Sequence, residues 1–158
     1  MKNITIVLSL VLLLIFAGGN LFAQSSRLLK GAERSYDDGI SAYKKKKYSE
    51  ASESLIIAVE NISENVSSRR YQLIRLDAAS RLVDIHFNMV EDLRKACKYL
   101  EIFTNDLNEM KNDNELKAKD IHKYLEMEKD FSRYKRKCSG LDTIDDKKKD
   151  FEKKFDEE

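Results

Sequence analysis

Residues 39–58 read Gly39-Ile40-Ser41-Ala42-Tyr43-Lys44-Lys45-Lys46-Lys47-Tyr48-Ser49-Glu50-Ala51-Ser52-Glu53-Ser54-Leu55-Ile56-Ile57-Ala58. Ile40 and Tyr43 stand three apart, and Tyr48, Ala51, Leu55 and Ala58 continue at intervals of three and four, the spacing of one helical face. Four lysines interrupt the two runs. A charged break between two apolar stripes is a solvated turn, so the segment predicts a helical hairpin. Gly39 and Ala51 are small, which lets two helices cross closely. Tyr48 and Leu55 fill the space between them, and Ala58 leaves room for a further helix.

The same spacing extends both ways. The apolar pattern Leu29, Ala32, Tyr36, Ile40 and Tyr43 predicts a first helix over 29–46, and the second runs from Tyr48 towards Asn65. A third is expected after Ser67 or Ser68, either of which can cap it. Its stripe is Tyr71, Ile74, Ala78, Leu82, Ile85 and Met89. Asp92 caps a fourth, carrying Leu93, Ala96, Leu100, Phe103, Leu107 and Met110. Asn112-Asp113-Asn114 marks a turn before a fifth, with Ile121, Tyr124, Leu125, Phe131 and Tyr134 along it. Gly140 is expected to end that helix in a left-handed conformation. No segment alternates as a strand does. The prediction is an all-α domain over 29–139 followed by a charged, weakly ordered tail over 140–158.

Composition agrees. The 158 residues include no Pro, no Trp and only five Gly, and 36% are charged. Sandwiches and barrels need turn residues every few positions. Lys+Arg number 29 and Asp+Glu 28, so no basic excess favours nucleic acid.

The N-terminus reads as an address. Met1-Lys2-Asn3 is a short positive start, Ile4 to Ala17 is almost wholly apolar, and Gly18-Gly19-Asn20 precedes Leu21-Phe22-Ala23. That layout is a secretory signal peptide over 1–23, cut after Ala23, with 24–28 as linker. An uncleaved anchor is the alternative. Removing 1–23 takes away one Lys and no acid, leaving the signs balanced. The chain is therefore expected in a periplasm or secreted, with bacterial character.

The hairpin Gly39-x2-Ala42-Tyr43-x4-Tyr48-x2-Ala51-x3-Leu55-x2-Ala58 resembles one tetratricopeptide repeat. Val83, Phe87, Leu93, Ala96, Leu100 and Phe103 give a second, poorer match, with Asp84 where the family prefers Gly and Phe103 where it prefers Ala. Ala51 and Ala96 set a period of 45, against the usual ~34. The resemblance implies a short solenoid of stacked hairpins closed by the fifth helix as a cap. It also implies a concave partner-binding face lined by the first helix of each pair: Glu33, Tyr36, Ile40, Tyr43 and Lys44, then Ala78, Arg81, Ile85 and Asn88. Core packing is an equal alternative for Tyr36, Ile40 and Ile85. The function so implied is an exported adaptor for a protein or peptide partner in the cell envelope, with self-association as a further way to cover a shallow groove. A different class, a module associating with lipid or cell-wall polymer through Lys44 to Lys47 and the amphipathic tail, is the competing reading, with membrane contact peripheral at most.

Reactive chemistry finds little support. His86 and His122 are the only histidines, neither sits in a metal or catalytic motif, and both are expected at the surface or in the groove. No Gly-rich phosphate loop is present, and no cofactor, metal or catalytic residue is expected. Asn61-Ile62-Ser63 and Asn65-Val66-Ser67 match the glycosylation acceptor triplet. An even pair of cysteines, Cys97 and Cys138, invites a disulfide in an exported chain. A hairpin turning near Asn112, however, sets Cys97 opposite Met127 and leaves Cys138 eleven residues, about 16 Å, further along. A bridge needs Cα atoms within ~7 Å, so free or intermolecular thiols are the expectation.

Overall fold

The computed structural model describes the backbone over 26–112 and 118–156, and side chains over 26–112 and 121–141. The expected leader, the first two linker residues (24 and 25), the Asp113-Asn114 end of the expected turn and the tail's side chains beyond 141 lie outside those residues, while 26–28 belong to the first helix. Five α-helices occupy the described chain, without a strand among them: α1 (26–44), α2 (Tyr48–Asn61), α3 (Arg69–Asp84), α4 (Leu93–Asn112) and α5 (Ala118–Asp156). The all-α expectation holds.

The quoted hairpin folds as read. A Cβ placed on Gly39 would lie 2.7 Å from Leu55 Cγ and 3.2 Å from the Leu55 backbone nitrogen, so the α1–α2 crossing needs a residue without a side chain. Leu55, Ala51 and Ala58 are fully buried. The lysine turn carries its own closure. Lys46 adopts φ 59°, its N–H donates to the Tyr43 carbonyl, and the Lys47 N–H donates back to Ala42 at 3.0 Å. That is a Schellman ending, usually built on glycine.

Side-chain pairs fix the directions. Tyr36 meets Asp77 and Tyr43 meets Asp84, both 41 residues on, so α1 and α3 run parallel. Tyr124 meets Asp77 and Tyr134 meets Asn88, 47 and 46 residues apart, so α5 runs parallel to α3. The α1–α3 offset is four residues shorter than the period read from Ala51 and Ala96. Between these three helices run α2 and α4, antiparallel to them, as Arg75–Asp106 and His86–Tyr99 show for α3 and α4. The core gathers Leu55, Val59, Leu76, Leu82, Ile85, Leu100, Phe103 and Leu107, joined from α5 by Ile121, Tyr124, Phe131 and Tyr134.

Four sequence expectations need correction. The third helix does not stay α-helical to Met89. Ile85–Met89 form a π turn, with the Val90 N–H reaching back to the Ile85 carbonyl at 2.9 Å. His86, four residues after Leu82 and seven after Ala79, shares their buried side at 3% exposure, while the wider turn retards the helical phase beyond it and leaves Met89 45% exposed, reversing their expected places. Ser68 stands at the α3 N-cap without a side-chain bond, whereas Asp92 caps α4 as expected, accepting from the Lys95 N–H at 3.1 Å.

At the other end α5 passes straight through Gly140; no described glycine has positive φ. One glycine costs a helix about 1 kcal/mol, which good helix formers beside it (Lys135, Arg136, Lys137 and Leu141) offset. Finally, Cys97 and Cys138 form a disulfide, Cα atoms 5.5 Å apart. The α4–α5 hairpin is centred near residue 117, not 112. Phe103 therefore faces Phe131, Lys111 faces Glu128, and Cys97 faces Cys138.

Candidate functional site

The parallel helices α1, α3 and α5 meet along a polar seam organised by Asp77, which is 4% exposed. Its Oδ2 accepts from Tyr36 Oη at 3.0 Å and lies 3.5 Å from Arg81 Nε. Its Oδ1 accepts from Lys123 Nζ at 2.6 Å and from Tyr124 Oη at 3.2 Å. One carboxylate thus joins three helices. Burial pushes its pKa up, but the bonds and charges of Lys123 and Arg81 outweigh that and hold it below the usual aspartate value. Burial and the Asp77 charge both raise the Tyr36 and Tyr124 phenols, which stay protonated.

One heptad further along α1 and α3 the arrangement repeats. Tyr43 donates to Asp84, and the Arg81 guanidinium lies over the Tyr43 ring at 5.0 Å. Asn88 Nδ2 donates to Asp84 at 2.7 Å and its Oδ1 accepts from Tyr134 at 2.9 Å. Phe87 stacks on Tyr134 with centroids 4.0 Å apart, and Arg133 covers the Tyr134 ring at 4.7 Å. Here the seam opens into a cavity of about 210 Å³ lined by Tyr43, Arg81, Asp84, Asn88, Arg133 and Tyr134 among others.

The expected concave-face residues divide accordingly. Tyr36, Tyr43, Arg81 and Asn88 lie together on the seam. Glu33 takes an ion pair with Arg70, Ile40 is half-buried against the core, and Lys44 is exposed at the end of α1. Ala78 and Ile85 are fully buried and line no surface; core packing was the alternative reading for Ile85, and the structure extends it to Ala78. Among the neighbouring lysines Lys47 pairs with Glu50 at 2.9 Å.

Sequence reasoning missed Asp77, Asp84, Lys123 and Tyr134. A signal existed. Tyr36 and Tyr43 are seven apart, as are Asp77 and Asp84, and Asp77 precedes Arg81 by four, the spacing of an intrahelical ion pair.

His86 is a second correction to the expected surface. Its Nε2 lies 3.1 Å from Ser52 Oγ, its ring stacks on Tyr99, and burial holds its pKa below the usual histidine value. Ser52 is itself buried. Among the described residues no group of three or more His, Cys, Asp or Glu gathers to hold a metal. No described helix is long and apolar enough to cross a membrane.

Comparison with known proteins finds no matching family model, no matching curated protein and no matching solved structure.

Proposed function

We propose that this chain is an exported scaffold, resembling tetratricopeptide-repeat proteins, which holds a protein or peptide partner of the cell envelope against the face made by α1, α3 and α5. The observation that carries the reading is the open end of the seam, where Tyr43, Arg81, Arg133 and Tyr134 surround one cavity. Tyrosine and arginine dominate binding hot spots because they bring large contact area together with directional polar groups. The reading of 1–23 as a leader supports export. The Cys97–Cys138 bridge supports it too, since such bonds persist in oxidising compartments. No catalytic step is assigned to the chain.

The test compares wild type with Tyr43→Ala plus Arg133→Glu in capture from envelope extracts, with a photo-crosslinker at either Asn88 or exposed Ile57. Arg133 is chosen over Arg81 because Arg81 also pairs with Asp77. A specific adduct from Asn88, lost in the double variant and absent from Ile57, is expected. Equal capture by both proteins overturns the assignment.

A further inference from the structure

We propose that the Cys97–Cys138 bridge is a thiol–disulfide exchange site for low-molecular-weight thiols that carry negative charge. It uses none of the seam residues, so it stands or falls apart from the function proposed above. Both cysteines line a cavity of about 650 Å³ between α4 and α5, a volume in the range of small-molecule sites. Both are partly exposed. Inside a helix the backbone is covered by its own turns, so that exposure falls chiefly on Cβ and Sγ. The bridge thus differs from one sealed in a core: a sulfur can reach it while the domain stays folded, and access is one of the factors that set exchange rates.

The charge around the bridge selects the class of thiol. Arg94, Lys98 and Lys135 border the cavity with a single carboxylate, Glu101. Lys98 lies 3.6 Å from Glu60 and Lys135 lies 3.9 Å from Glu128, carboxylates outside that lining. The two lysines are 58% and 45% exposed, and long pairs at such exposure hold little energy. Glu128 is also engaged at 2.7 Å by Lys111. Both lysines therefore remain able to meet an anion. Clustered cations concentrate anionic thiolates beside the bridge and stabilise the thiolate that leaves it.

The step balances without an outside oxidant. The incoming thiolate bonds to one bridge sulfur while the S–S bond breaks. The electron pair of that bond goes to the other sulfur, which leaves as a thiolate among the cations. The product is a mixed disulfide and one free cysteine. A second molecule of the same thiol can attack the mixed disulfide and leave as the small thiol's own disulfide. Two thiols are then oxidised, the bridge is reduced by two electrons, and their two protons end on Cys97 and Cys138. The chain is the molecule modified, and the modification removes the covalent tie between α4 and α5.

The test exposes the folded, full-length chain to glutathione, β-mercaptoethanol and cysteamine. Their thiolate forms run from doubly negative through singly negative to net neutral. Quenching with iodoacetamide followed by intact mass gives the rate of bridge opening at low and high salt. Each rate is divided by that of the same thiol on a small uncharged disulfide, which removes differences in nucleophilicity. Normalised rates should fall in the order given, with glutathione about tenfold above cysteamine at low salt, and should converge at high salt. Lys98→Gln plus Lys135→Gln should level the order and Lys98→Glu plus Lys135→Glu should reverse it, with urea unfolding confirming that both variants are folded. Equal normalised rates for the three thiols, an order unchanged in the charge-reversed variant, or opening independent of thiol concentration, which waits on global unfolding, overturn the proposal and leave the bridge a structural lock alone.

Discussion

Two glycines carry opposite consequences for substitution. Gly39 lies under Leu55, and an added methyl must displace both the Leu55 side chain and, at 3.2 Å, its backbone nitrogen. Overpacking of this kind costs about 1–3 kcal/mol, more than the ~1 kcal/mol that alanine regains in helix propensity. Gly39→Ala should therefore lower unfolding stability in urea by about 1 kcal/mol. Gly140 is helical with nothing within 4 Å of an added Cβ, so Gly140→Ala should raise it by about 0.5–1 kcal/mol. Asp106 makes a pH-dependent contribution. Burial pushes its folded pKa to about 6, above the ordinary aspartate value of 3.8, so the folded state binds the extra proton between those values. The stability this confers is complete below pH 4 and lost as pH rises through 6. His86 opposes it, because a depressed histidine pKa removes stability as pH falls through the unfolded value near 6.5. The isolating measurement is the stability difference between wild type and Asp106→Asn in urea at pH 4.5 and 7.5. That difference should favour wild type more at the lower pH, by an amount on the order of 2 kcal/mol.

Between elements, what the amino-acid order discloses depends on how local the cause is. The α1–α2 hairpin was readable because its periodicity, lysine turn and small residues all lie within residues 39–58. The Asp92 cap was readable for the same reason. The π turn was not, since no residue type announces a phase slip and only the exchange of His86 for Met89 in the core reveals it. The Asp77 seam was half-readable: its pairing with Arg81 lies within one helix, but Tyr36, Lys123 and Tyr124 arrive from helices 41 to 47 residues away. Magnitudes then rank its bonds. Asp77→Ala should cost about 3 kcal/mol in urea unfolding, because a buried network loses its shared acceptor. Tyr36→Phe removes one neutral donor and should cost about 1 kcal/mol. Lys123→Met should cost less than about 1 kcal/mol, because the Lys123 side chain is 54% exposed and water screens its charge. A Lys123 effect equal to that of Asp77 would show that charge pairing, and not the shared acceptor, joins the three helices.

For the whole molecule the decisive question is what keeps α5 in place. Described helices precede and follow α2, α3 and α4, whereas α5 is held through α4 and the seam and runs on to Asp156. Its register on α4 is set by Phe103–Phe131 and Lys111–Glu128, and Cys97–Cys138 locks that register covalently. The thiol expectation failed over a few residues of loop position, since moving the hairpin's centre from 112 to near 117 slides α5 by about eleven residues. The bridge joins positions 41 residues apart. Closing a loop of that length in the unfolded chain corresponds to about 4 kcal/mol in the chain-entropy treatment, a large share of the roughly 5–15 kcal/mol that holds a domain together. Cys97→Ala plus Cys138→Ala should lower urea stability by about 2–4 kcal/mol, and wild type under dithiothreitol should match it. Hydrogen exchange should show where the loss falls: amides of α5 around Phe131 to Cys138 lose protection first, while those of the Gly39–Leu55 hairpin keep theirs until global unfolding. Uniform loss along the chain would mean that α5 belongs to one cooperative unit with the hairpins and needs no covalent lock to stay on α4.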